Sequence, residues 1–396
     1  MTSIRLIPKI QIARFPQMDH EIDSDSVYQN IGVTPVINAA GPITMFGGTK
    51  LRQEVHSAMN AASQTMIDLH QLNDKAGEIL ASYAGAEAGM VTSGSAGALI
   101  LQAAAVVAGS DKKKMRKLPN TEGMRNEIII HNIHRFPYDQ CYTAVGAKLV
   151  GVGDFLRCLP WELEGAINEN TAAIAYLDAP FVSRNAMPLK EVVEIAHAHD
   201  LPVIVDAATM IPPRSNFTKY IDEGADLVLY SGGKGIRGPQ GTGIMVGRKD
   251  LIQAARDNAS PNQFIGRGLK VSKEEIIGLL QSVELLMATN EDEETAMFRN
   301  LSQMVVDALI ELPGLDVSIE HDYKNYLIPT AVFHFTKEWD GPSRDAVLER
   351  MKQGERPIYL YWLCGPDTLA VDPLNVDEDE MRTVISRLLE ELTKKN

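Results

Sequence analysis

The sequence predicts an α/β protein: a mostly parallel seven-stranded sheet flanked by helices, with a smaller α+β C-terminal domain. Two observations carry this. From Gly89 to Gly247 short β-branched runs alternate with amphipathic stretches, the pattern of strands joined by covering helices. Near residue 260 that alternation gives way to a long helical pattern followed by shorter mixed segments. With 396 residues, 45% apolar and 23% charged, the chain has the composition of an ordinary globular protein and is long enough for two or three domains with a cleft between them.

Residues 1 to about 30 lack a sustained period and read as an arm that orders by packing on something else. A short apolar stretch over 33–39 leads to the breakers Gly41-Pro42 and Gly47-Gly48, then to helical patterns over 51–83. Strands are expected at 89–92, 127–130, 148–152, 172–177, 202–206, 227–231 and 243–246, with helices at 94–108, 138–145, 189–197 and 211–223. One connecting helix spans 273–309, shorter segments follow at 315–319, 330–335 and 357–362, and a helix at 378–392 ends the chain. The expected division is an N-terminal arm over 1–50, packing on the small domain or a partner subunit, a large domain over 51–265, and a connecting helix with small domain over 266–396.

Thirty-eight Lys and Arg against 52 Asp and Glu give a formal charge of −14, which repels nucleic-acid phosphates. The three cysteines, Cys141, Cys158 and Cys364, form no C-x-x-C pair and fit a reducing cytoplasm better than a disulfide scaffold. The opening residues carry Arg5, Lys9 and Arg14 where a signal peptide needs an unbroken apolar run. The most apolar stretch, 96–109, contains Gln102 and is too short to cross a membrane, so it reads as a buried helix.

The sharpest local feature is an apolar strand, 227–231, running into a loop with six glycines in twelve positions around one lysine, Lys234. Glycines let backbone approach a ligand closely, and a lysine held off bulk water has a lowered pKa and can form an imine. The plain alternative is a surface lysine in a glycine turn. Two further features favour the chemical reading. The strand 202–206 ends in Asp206, where ligands bind α/β sheets and where a carboxylate can hold a pyridinium nitrogen protonated. Ser93-Gly94-Ser95 lies between a strand and a helix start, where backbone N–H groups and the helix dipole favour a phosphate. Phosphate cup, strand-end acid and glycine-loop lysine, in that order, match what pyridoxal 5'-phosphate requires of a protein.

Ser231-Gly-Gly-Lys234 with Gly238-Pro-Gln240 resembles the lysine segment of the selenocysteine-synthase-like branch of fold-type I pyridoxal-phosphate enzymes, which also holds D-glucosaminate-6-phosphate ammonia-lyases. The resemblance runs from about Tyr28 to the C-terminus and includes Val36-Ile-Asn-Ala-Ala-Gly41 and Gly266-Arg-Gly-Leu-Lys270. It implies that Lys234 is the Schiff-base lysine and catalytic residue, that Asp206 partners the pyridine nitrogen, and that Ser93, Gly94, Ser95 and Ser231 contact the cofactor phosphate. His134 falls where the branch stacks a ring on the cofactor; alternatively it is a hydrogen-bonded structural histidine. Arg267, Lys270, Gln240 and Tyr361 are candidates for the substrate, with ordinary surface charge as the alternative for the first two. A homodimer or higher oligomer with its active sites at the subunit interface is also implied.

His131 with His134, and His197 with His199, suggest metal ligands, but no third ligand supports zinc, and no metal is expected. The basic run 111–117 reads as a solvated loop. Where many fold-type I enzymes offer an arginine for the substrate carboxylate, this chain has only Arg356 before Tyr359 and Tyr361, which period two places on one strand face.

The expected reaction is a lyase: α,β-elimination from a hydroxylated amino acid, with or without a phosphate, such as D-glucosaminate 6-phosphate, giving a 2-oxo acid and ammonia. A seryl-tRNA transferase is the second reading, weakened by the negative charge and by a resemblance that starts near Tyr28, without the N-terminal tRNA domain that bacterial transferases carry. A racemase, an aminotransferase and a non-catalytic cofactor binder stand behind these.

Overall fold

The computed structural model of the protein describes residues 24–182 and 185–394; of the arm expected over 1–50, residues 1–23 lie outside them. A seven-stranded sheet has the order Ala88–Ser93, Thr242–Gly247, Leu227–Ser231, Val203–Asp206, Thr171–Leu177, Glu127–His131, Lys148–Val152. Every neighbouring pair is parallel except the two made by Thr242–Gly247, which runs antiparallel to both its neighbours. The central strands are buried on both faces, so their sequences are continuous apolar runs rather than alternations. Period two still divides them between two cores. Val203, Val205, Val228 and Tyr230 pack on one side of the sheet, while Ile204, Leu227 and Leu229 pack on the other with the apolar helix Gly94–Ala108.

A smaller antiparallel sheet, Thr368–Val371, Thr330–Phe335 and Leu315–Glu320, follows in the C-terminal part. It shares a third core with the helices Glu291–Leu309 and Glu378–Thr393. The short strand Ile37–Ala39 pairs parallel with Ile358–Leu360 and buries Ile37 and Ala39 in this same core. The first described strand is thereby tied to residues more than three hundred positions away.

Three expectations need correction. The connecting helix is two helices, Lys273–Ala288 and Glu291–Leu309, because Thr289 is extended and Asn290 caps the second, accepting from the Asp292 N–H. Four acidic residues, Glu291 to Glu294, then suit the positive end of its dipole. The basic run is not a loop but the short helix Lys112–Lys117, capped by Asp111, with Met115 buried. The helix expected from 211 begins only at Asn216, after Pro212-Pro213, whose nitrogens carry no hydrogen to donate. The strand Thr368–Val371 and the helix Lys249–Asn258 were not anticipated.

Candidate active site

The site is built at strand ends. In the parallel register Asp206 stands opposite Leu177 on one side and Leu229 on the other. Its carboxylate Oδ1 accepts from the Ala208 N–H at 3.0 Å. Burial pushes the Asp206 carboxyl up, while the Ala208 amide and the Lys234 charge pull it back.

The next strand leaves the sheet at Ser231 and folds into the glycine loop, closed by Gly232 N–H to Thr242 O at 2.9 Å, Gly238 N–H to Gly232 O at 2.8 Å and Arg237 N–H to Lys234 O at 2.8 Å. At Gly235 a side chain is impossible, since a Cβ there would stand 1.8 Å from the Ile211 carbonyl oxygen. The loop can therefore press against that neighbouring backbone and turn Lys234 inward. Burial lowers the Lys234 pKa and the Asp206 charge raises it. The half-buried lysine lies near enough to the strand-end acid for the two charges to interact.

Lys234 and Asp206 line one cavity of about 430 Å³, together with Ser95, Tyr361, Thr209 and Asp372. Ser95 lies in the first turn of the helix Gly94–Ala108, whose N-cap Ser93 makes no side-chain capping bond, so the first N–H groups of the helix are left for another acceptor. Ser93 and Gly94 flank this wall without forming part of it. Ser231 is buried at the strand end, its N–H donating to Ala208 O at 3.2 Å.

His134 is buried in a short helical turn and lies outside the cavity lining. Its Nδ1 accepts from the Leu177 N–H at 3.4 Å, and its ring meets Tyr176 edge-on at 4.6 Å. Burial, with His131 beside it, lowers its pKa to about 3. Gln240 is committed to the loop after the first strand, donating to Thr44 O at 2.7 Å. Arg267 and Lys270 are exposed and do not line the cavity. Arg356 is tied to Glu380 at 2.8 Å, on a carboxylate that also takes Lys50. Tyr359 and Tyr361 alternate with the buried Ile358 and Leu360, as period two requires, but only Tyr361 lines the cavity; Tyr359 packs on Phe46 at 4.2 Å.

Two cavity groups had not been anticipated. Thr209 holds a buried hydroxyl with no hydrogen-bond partner among the described residues, three positions after Asp206, a spacing that could have flagged it. Asp372 directly follows the strand Thr368–Val371, which the sequence pattern does not predict.

The donor set fits pyridoxal phosphate: a buried amine to form an imine, an acid for the ring nitrogen, and a helix N-terminus lacking a side-chain cap for the phosphate. The strand order and the placement of the lysine loop define the fold-type I class of pyridoxal-phosphate enzymes, a fold this chain shares with solved members of that class. Residues 36–311 match the family described as SelA, L-seryl-tRNA selenium transferase, and the chain belongs to that family.

Within reach of it are proteins of different activities. It is 30% identical over 371 residues to the D-glucosaminate-6-phosphate ammonia lyase of Salmonella typhimurium, covering 92% of this chain and 97% of that one. It is 32% identical over 384 residues to a 5'-C-glycyluridine monooxygenase-decarboxylase of Streptomyces sp, covering 95% and 94%. A solved D-glucosaminate-6-phosphate ammonia-lyase superposes with a TM-score of 0.82 at 28% identity, over 94% of this chain and 100% of the other. No helix among the described residues is long and apolar enough to cross a membrane.

Proposed function

We propose that this protein is a pyridoxal-phosphate-dependent lyase that eliminates water from a β-hydroxy amino acid and yields a 2-oxo acid and ammonia. The observation that carries the reading is the pairing of a half-buried Lys234 with Asp206 in one cavity, in a chain similar over nearly its whole length to an ammonia lyase.

Pyridoxal phosphate, when bound, supplies an electron-withdrawing ring that stabilises the charge left at the substrate's Cα. Lys234 would hold it covalently and, once released by the substrate amine, take the α-proton on Nζ. Asp206 would keep a proton on the ring nitrogen, which asks it to remain a carboxylate; the Ala208 amide and a neighbouring positive charge both favour that form. Ser95 and the first N–H groups of its helix, with Ser93 and Gly94 beside them, would take the phosphate, and Ser231 would add a hydroxyl. His134, held neutral by burial and outside the cavity lining, would support the ring pocket from behind by accepting from the N–H of the lining residue Leu177. Tyr361, in the cavity wall, would contact the substrate. Arg267 and Lys270 would need to act from another subunit's direction, in keeping with a dimeric enzyme, since they do not reach this chain's own cavity.

The test is incubation of the cofactor-loaded protein with D-glucosaminate 6-phosphate and with β-hydroxy amino acids of both chiralities, measuring 2-oxo acid and ammonia. Release of both from one of them is expected; none from any would refute the reading. A second reading, oxygen-dependent decarboxylation, is favoured by the 32% identity to the monooxygenase-decarboxylase. Oxygen uptake with release of carbon dioxide, in place of ammonia, would select it.

A further inference from the structure

The cavity contains a second carboxylate that the reading above does not use. Asp372 follows the strand Thr368–Val371, and its backbone N–H donates to Ala39 O at 3.0 Å, which fixes it against the first strand. Oδ1 accepts from the Leu374 N–H at 2.8 Å. Oδ2 accepts no hydrogen bond among the described residues and is packed over Gly41, where a Cβ would stand only 2.6 Å away. The chain thus withholds a side chain at position 41 and keeps one oxygen of a partly buried acid available in the wall of the cavity that holds Lys234.

Elimination of hydroxide needs two proton movements. One is removal of the α-proton, assigned above to Lys234. The other is protonation of the departing oxygen, because hydroxide is a poor leaving group. Asp206 is occupied in the proposed scheme by the ring nitrogen. Tyr326 and Tyr361 line the same cavity, but burial pushes both phenols further up, away from useful acidity at neutral pH.

We propose that Asp372 is the general acid for the departing β-hydroxyl of the substrate. The inference rests on the lyase reading. As Lys234 Nζ takes the α-proton, the electron pair of the Cα–H bond becomes the Cα–Cβ double bond. The Cβ–O pair leaves with oxygen, and the carboxyl proton of Asp372 converts that oxygen to water. Asp372 is left as a carboxylate and Lys234 as an ammonium, and exchange with water resets both. Burial raises the Asp372 pKa to about 6, so a fraction of this carboxyl is protonated near neutrality, as an acid catalyst needs.

The test is a change of leaving group. Wild type and Asp372→Asn, both loaded with pyridoxal phosphate, are compared on serine, D-glucosaminate 6-phosphate and β-chloroalanine, the last of which loses chloride and needs no proton. Asparagine retains an acceptor for the Leu374 N–H, and turnover of β-chloroalanine itself reports a folded site. The expected result is a loss of about 10²-fold or more on the hydroxylated substrate with β-chloroalanine changed by no more than about threefold. An infrared band of a protonated carboxyl at pH 5 in the cofactor-free protein, missing from the variant, is expected alongside. Equal losses on both leaving groups, or no loss on the hydroxylated substrate, would overturn the role of Asp372 alone. Absence of 2-oxo acid from every substrate with the wild type would overturn the lyase reading and this inference with it.

Discussion

Asp206 and Lys234 each counter what burial does to the other: desolvation lowers the lysine pKa while the aspartate charge raises it, and desolvation raises the aspartate while the lysine charge lowers it. They reach this relationship from adjacent parallel strands, one ending in Asp206 and the other passing Ser231 into the glycine loop. Burial, the larger effect, favours the neutral amine that imine chemistry uses, and the aspartate charge opposes it.

Lys234→Ala is expected to abolish covalent attachment of pyridoxal phosphate. Borohydride reduction of the loaded wild type should add the pyridoxyl mass to the peptide carrying Lys234 and to no other. The variant should show no such adduct and should lose activity by about 10²–10⁴-fold. An adduct retained elsewhere with full activity would remove Lys234 from the site.

Asp206→Asn removes one half of the pair and leaves its shape. The amine then loses the charge that raises its pKa, so the pH midpoint for acylation of Lys234 in the cofactor-free protein should move down. Activity of the loaded variant should fall by about 10²–10³-fold, the scale for loss of one preorganised electrostatic partner. An unchanged acylation midpoint would show that the two groups do not interact.

The glycine-loop lysine and the strand-end acid were legible in the sequence because each follows a continuous apolar strand, and the buried parallel strands leave such runs uninterrupted. The parallel strand Thr171–Leu177 was legible for the same reason. Asp372 was not. It follows a four-residue strand at the edge of a small antiparallel sheet, and its importance comes from contacts with Ala39 and Gly41, far away in the chain. Arg267 and Lys270 show the opposite failure: their charge and position after the lysine loop suggested a substrate contact, but local sequence does not report which way an exposed loop faces.

Gly41→Ala should destabilise the protein by about 1–3 kcal/mol, since the new methyl meets Asp372 Oδ2 at 2.6 Å on a backbone with φ of 84°. Gly47→Ala is the control. Its φ is 91°, but a Cβ there meets nothing within 4 Å, so it carries the backbone strain without the clash. Urea midpoints should place Gly41→Ala below Gly47→Ala, and equal midpoints would show that Asp372 yields without cost.

Asp226 anchors the entry of the strand that leads to the lysine loop. It is 4% exposed and accepts from the Val203 N–H at 2.7 Å and from Arg248 Nη1 at 2.9 Å, with His197 Nε2 at 2.9 Å. Asp226→Ala leaves a buried N–H without its acceptor and a half-exposed guanidinium without one of its two carboxylates, and a loss of about 1–3 kcal/mol is expected. Chemical denaturation measures it; a loss under about 1 kcal/mol would mean that water or Asp250 takes over the vacated bonds.

His131 and His134 make stability depend on pH in a direction that can be worked out. Burial lowers the first to about 4 and the second to about 3, against 6.5 for an unhindered imidazole. Neither ring nitrogen of His131, nor Nε2 of His134, has a hydrogen-bond partner among the described residues, so no bond favours the charged form. Between the folded and unfolded values the unfolded chain binds more protons, so stability falls as pH drops from about 6.5 towards 4, by up to about 1.4 kcal/mol per pH unit for each histidine. His131→Leu removes one of the two, and the difference between its pH–stability curve and that of the wild type cancels the carboxylates common to both. That difference should be flat above pH 7 and should move in favour of the variant as pH falls to 4.5, measured by urea denaturation of the cofactor-free protein. Parallel curves over that range would mean that the buried ring finds a partner on protonation and is not held neutral by its surroundings.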